Sequence, residues 1–162
     1  MNKKQYVEYM LPVIESILLA QGFIFKKSKD AFEKKTLNGW SKVNFYFHQF
    51  GFDNKINIDL VLRINAVQDI FVKYHDINPG NHKDTDSIGF VLTDLLKHDH
   101  NGFAFKTVGE LDTILNEKFI PFLQHEVPVL CKKYNDMEGI FSYYYTPVKK
   151  IAILWSASMM GT

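Results

Sequence analysis

Between residues 40 and 64 the chain reads WSKVNFYFHQF, a short polar break, then KINIDLVLRI, and no other stretch restricts the fold so tightly. In the second run Ile56, Ile58, Leu60, Leu62 and Ile64 alternate with Asn57, Asp59, Val61 and Arg63. A period of two sends successive side chains to opposite faces, so this is a strand with one apolar and one mainly polar face. The first run alternates too, with Val43, Phe45 and Phe47 set against Asn44, Tyr46 and His48. Asn38-Gly39 and Asp53-Asn54 read as two-residue turns, which makes residues 31–37, 40–50 and 55–64 a three-stranded antiparallel meander.

That reading fixes a register. Phe32 falls opposite Phe45, Phe45 opposite Leu62, Phe47 opposite Leu60 and Val43 opposite Ile64, so the apolar side chains share one face. On the other face His48 falls opposite Asp59 and Tyr46 opposite Val61, while Glu33, Asn44 and Arg63 form a row. Trp40, Asn44, Tyr46, His48, Asp59 and Arg63 are therefore the candidate binding residues of a polar sheet face. Aromatic area beside directional polar groups is the mixture enriched where proteins recognise one another.

Helices flank the meander in this reading. Tyr6, Val7, Met10, Ile14, Ile17 and Leu18 recur at helical spacing over residues 3–21, with Gly22 as a stop and Pro12 as an expected kink or start. Asn65 is placed to cap a short helix through Val67, Ile70, Phe71 and Tyr74, although the same residues fit a strand. Residues 76–87 have loop composition, and 88–95 and 102–106 read as two strands. Thr107 and Glu110 have the spacing of a capping box. They open a long amphipathic helix through Leu111, Leu115, Phe119, Phe122, Leu123, Val127 and Leu130, which Pro121 and Pro128 should bend or divide. Asp136 caps a further helical piece near 137–145, and residues 148–158 read as a last helix. The fold class expected is α+β, an antiparallel meander packed on one face by an N-terminal helix and C-terminal helices. Residues 1–162 fit one such domain.

Composition narrows the function classes. Nineteen basic and eighteen acidic residues leave a formal charge of +1, without the basic excess through which phosphate neutralisation supplies affinity for nucleic acid. No apolar run approaches the ~18 residues that span a bilayer, and Glu8 and Glu15 interrupt any leader-like segment. The single Cys131 forms no internal disulfide and fits a reducing compartment. The expectation is a cytoplasmic protein with a protein partner, no nucleic acid and no membrane.

One stretch invites a metal reading. His75, His82, His98 and His100 fall between residues 75 and 100 with Asp76, Asp84, Asp86, Asp94 and Asp99. Imidazole and carboxylate together suit a divalent transition metal, so a metal-dependent hydrolase using His82, Asp84, His98 and His100 is the alternative function. Against it, Asn101-Gly102 places the KHDH pair at a turn, and exposed loops gather His, Asp and Asn because they solvate well. The spacings of zinc proteases, Walker loops, nucleophile elbows and dinucleotide folds are absent. The favoured reading has no cofactor.

Gly22-Phe23 after the first helix, Phe32-Glu33-Lys34, the NFYFHQ strand, and GFAFKT leading into a helix with Pro121-Phe122 together resemble small bacterial domains of unknown function. The resemblance implies an α+β domain without an assigned activity. Some small bacterial domains of similar build are immunity proteins that occlude a secreted toxin. The resemblance carries over no functional residue.

Overall fold

A computed structural model describes residues 3–50, 53–74 and 85–145. The alternating runs form the central strands, β3 (Gly39–Phe50) and β4 (Asp53–Ile64), paired antiparallel along their whole length. β2 (Ala31–Thr36) lies on the far side of β3, and a three-residue β1 (Ile24–Lys26) pairs with Ala31–Glu33. The other edge of β4 is shared by β5 (Ile88–Val91), beside residues 59–62, and β6 (Phe103–Phe105), beside residues 54–56. The result is a six-stranded antiparallel sheet.

The faces of the meander are as expected, but its register is not. Phe32 pairs with Val43, Val43 with Leu60, Phe45 with Ile58 and Phe47 with Ile56. His48 consequently lies opposite Lys55 rather than Asp59, Tyr46 opposite Asn57 rather than Val61, and Asn44 opposite Asp59. Both slips are by an even number of residues, which leaves every side chain on its face, so alternation cannot detect them. The turns explain the slips. Thr36 pairs with Gly39, so Leu37-Asn38 makes the first turn and Gly39 belongs to the strand. A Cβ on Gly39 would stand 1.9 Å from the Arg63 carbonyl oxygen, so close backbone approach is what demands glycine there. Asp53 and Asn54 likewise belong to β4, where Asp53 pairs with Phe50.

The apolar face is covered by helices. α1 (Lys3–Ala20) runs through Pro12 rather than starting at it, and buries Tyr6, Met10, Ile14 and Leu18. Its C-terminus closes with Gly22 at φ 84° and a Phe23 N–H donating to the Leu18 carbonyl, as left-handed caps do. The capping box forms as expected: Thr107 Oγ1 accepts from the Glu110 N–H, and the Glu110 carboxylate accepts from the Thr107 N–H. It opens α4 (Val108–Ile114), and a helical run continues to the end of α5 (Val127–Lys133).

The two prolines neither end nor divide that run. Leu115–Phe119 and Phe122–Glu126 widen into π turns, with Ile120 N–H donating to Leu115 O and Val127 N–H to Phe122 O. Each widening stands immediately ahead of a proline, whose ring crowds the carbonyl four residues back and which has no N–H to offer. Leu111, Leu115, Phe119, Phe122, Leu123 and Val127 are all buried along it. α6 (Met137–Tyr145) follows, with Asp136 Oδ1 accepting from the Gly139 N–H as its cap. The helix expected over 148–158 lies outside the described residues. Buried apolar side chains from Tyr6 to Ile140 form one contiguous cluster.

The remaining elements lie toward the polar face. Asn65 begins α2 (Asn65–Tyr74), so those residues form a helix and not a strand. The strand expected over 88–95 stops at Val91, and Leu92–Leu95 is a single helical turn, α3, whose Leu92 and Thr93 are buried. The chain turns there because it must leave one end of β4 and return as β6 at the other.

Candidate functional site

Of the six residues expected on the polar face, the structure buries two. Asp59 is 7% exposed and Arg63 8%. Arg63 Nη1 donates to Thr85 O at 2.8 Å and Thr85 Oγ1 at 2.6 Å, and its Nε donates to Asn65 Oδ1 at 3.1 Å. It thus ties β4 to the start of α2 and to the approach of β5. Trp40 sits across from Arg63, half-buried, with the Lys42 ammonium 4.3 Å from its ring. This end of the face is closed and structural.

The middle is held by Asp59. Its carboxylate accepts from Asn44 Nδ2 at 2.8 Å and from the Tyr46 hydroxyl at 3.0 Å. Burial raises the Asp59 carboxyl above the ordinary range, and the two hydrogen bonds partly offset that rise. Burial first, then the Asp59 charge, pushes the Tyr46 phenol up to about 12. Tyr46 therefore remains a neutral donor at any physiological pH. Its ring is 43% exposed, so an aromatic side chain is fixed at one end and presented at the other.

Beyond Tyr46 the face opens. Tyr46, His48, Asn57, His100 and Asn101 line a cleft of about 270 Å³ between β3, β4 and the loop that follows α3. Its floor is tied down by the Asn57 Nδ2 hydrogen bond to Thr93 Oγ1, 2.9 Å and buried. Its lip is tied by Lys55 Nζ to Asp99 Oδ2, 3.3 Å. Asp99 also accepts from the Asn101 N–H, which, ahead of Lys55, holds its carboxyl below the usual range. Gly102 ends the loop at φ 103°, where a Cβ would meet the Ile56 carbonyl oxygen at 2.8 Å.

The histidines of this loop do not act as a pair. His98 stacks on Phe103, ring centroids 4.7 Å apart, while His100 Nδ1 bonds to Asp94 at the surface. Among the described residues no three His, Cys, Asp or Glu side chains converge as metal ligands do. His82 and Asp84 lie outside the described residues. Sequence reading treated the polar sheet face and the KHDH tip as separate candidates, whereas Tyr46, His48 and His100 line one cleft. Asn57 and Asn101 complete it. Alternation put Asn57 on this face, but only the return of the chain through Gly102 to β6 brings residue 100 beside residue 48.

The class so defined is an antiparallel α+β fold with one sheet face sealed by helices and the other half-sealed around a small polar cleft. No helix among the described residues is long and apolar enough to cross a membrane. No family model matches the chain, and no curated protein or solved structure is significantly similar to it.

Proposed function

We propose that the chain is a non-enzymatic protein-binding module that engages its partner through the cleft at Tyr46, His48 and His100. The observation that carries the reading is the anchored, half-exposed ring of Tyr46, whose hydroxyl is held by the buried Asp59 carboxylate. An aromatic residue whose rotamer is already fixed loses little entropy on binding, which is the property of interface hot spots. The surrounding imidazoles and amides supply directional hydrogen bonds without a buried charge. The partner inferred is a protein, as for an immunity protein occluding a toxin, in a bacterial cytoplasm whose reducing conditions suit the free Cys131.

The test is affinity capture with the full chain as bait in a lysate of its source organism. One protein retained in stoichiometric amount, and released when the bait carries Tyr46→Ala with His48→Ala, is the expected result. Capture that survives both changes, or that retains nothing specific, overturns the reading.

A further inference from the structure

At its far end the apolar sheet face departs from its own pattern. Phe32 and Val43 are fully buried, yet Lys34 and Thr36 follow Phe32 on the same face and Ser41 stands there ahead of Val43. β1 pairs only as far as Glu33, so Lys34–Thr36 is also an open edge of the sheet. α5 passes this edge, leaving a cleft of about 480 Å³, within the roughly 300–1,000 Å³ usual for small-molecule sites.

The chemistry of its walls is one-sided. Lys34, Lys35 and Lys132 line it, no carboxylate does, and among the described residues none of the three is ion-paired. Lys34 Nζ donates to the Gln21 carbonyl at 2.8 Å, which fixes the ammonium and leaves further protons to give. Burial pushes the Cys131 thiol up, with Ser41 and Lys34 pulling it back, so the sulfur adds no negative charge at neutral pH. Among the described residues three buried side-chain oxygen atoms have no hydrogen-bond partner, and two of them, Gln21 Oε1 and Thr36 Oγ1, belong to residues of this cleft. Buried polar atoms are nearly always paired, so two orphans at one cleft point to a ligand.

We propose that this cleft binds a small hydroxylated anion of the sugar-phosphate class. The three ammonium groups match a phosphate. Gln21 Oε1 accepts only, so it calls for a hydroxyl donor, which a phosphate dianion lacks and a sugar has. The Thr36 hydroxyl serves either part. A nucleic-acid backbone fits less well, because the lysines are confined to one concavity and do not extend as a stripe along the surface.

The test is an amide chemical-shift titration of the isotopically labelled full chain with ribose 5-phosphate, ribose, inorganic phosphate and a single-stranded oligonucleotide. Saturable shifts at Lys34, Ser41 and Asn135 with ribose 5-phosphate, tighter than with ribose or phosphate alone, are expected. Lys35 and Lys132 are exposed, so Lys35→Gln and Lys132→Gln keep the fold, and each weakens binding roughly tenfold by removing one charge-assisted contact. Three results overturn the proposal: ribose 5-phosphate binding no tighter than phosphate, the oligonucleotide binding tighter still, or both variants retaining full affinity.

Discussion

At the scale of single residues, Asp59 is the group on which the polar face depends. Asn44 and Tyr46 each donate to it, yet its carboxyl is raised above the ordinary value of 3.8, because burial disfavours the charge more than two hydrogen bonds favour it. The sign of the pH effect follows. The folded chain holds the Asp59 proton to higher pH than the unfolded chain, so its stability contribution is complete below 3.8 and declines as pH rises through the raised value. Asp59→Asn removes that titration. Melting temperatures of variant and parent measured from acid to neutral pH should therefore diverge in the variant's favour as pH rises. A difference that stays flat, or that moves toward the parent, would show that the ion is well solvated. Which residues share this face was legible from alternation; their burial was not. It depends on Thr85 and Thr93, which pack onto Arg63 and Asn57 from loop and turn segments without periodicity of their own.

At the scale of elements, pattern fixed faces and left register open. An even slip preserves every apolar contact class, so only turn geometry can choose between registers, and Asn38-Gly39 misleads because glycine serves there for a reason other than turning. The prolines mislead in a similar way, since a π turn lets a helix pass a proline that an α turn would not accommodate. β1 is too short to alternate, and α3 is one turn inside what reads as a strand. By contrast, the helix starts at Thr107 and Asp136 were legible, because each rests on a local side-chain-to-backbone bond. The register assignment has a direct check at Gly39. Its missing Cβ leaves room for the Arg63 carbonyl, a backbone atom that cannot swing aside. Gly39→Ala should lower unfolding free energy by about 1–3 kcal/mol in denaturant titration. The neighbouring Leu37→Ala, at a side chain 98% exposed, should stay within about 0.5 kcal/mol of the parent. If Gly39→Ala is neutral, Gly39 is not seated against β4 and the register is wrong.

At the scale of the whole molecule, the sheet divides its two faces between different tasks. The apolar face lies under α1 and the long helical run, and supplies most of the one hydrophobic cluster. The polar face is covered only where α2, residues 85–87 and Thr93 reach it, so Arg63 and Asn57 are sealed while Tyr46 and His48 stand at the border. Residues that look equivalent in sequence, six polar or aromatic positions on one face, thus fall into a structural set and a presented set. The two sets should separate in experiment. Arg63→Ala removes three hydrogen bonds and leaves Thr85 O and Asn65 Oδ1 without their donor, which should cost roughly 1–3 kcal/mol. The loss should be local: amide exchange should quicken over 85–91, the segment Arg63 holds against β4, and stay slow in α1 and α4. His48→Ala and His100→Ala change exposed side chains at the rim, and should shift neither exchange nor unfolding free energy by more than about 0.5 kcal/mol. If instead the rim variants destabilise the fold as much as Arg63→Ala does, the border between sealed and open parts of the face is misplaced. The cleft would then be a packing contact and no longer a surface held ready for a partner.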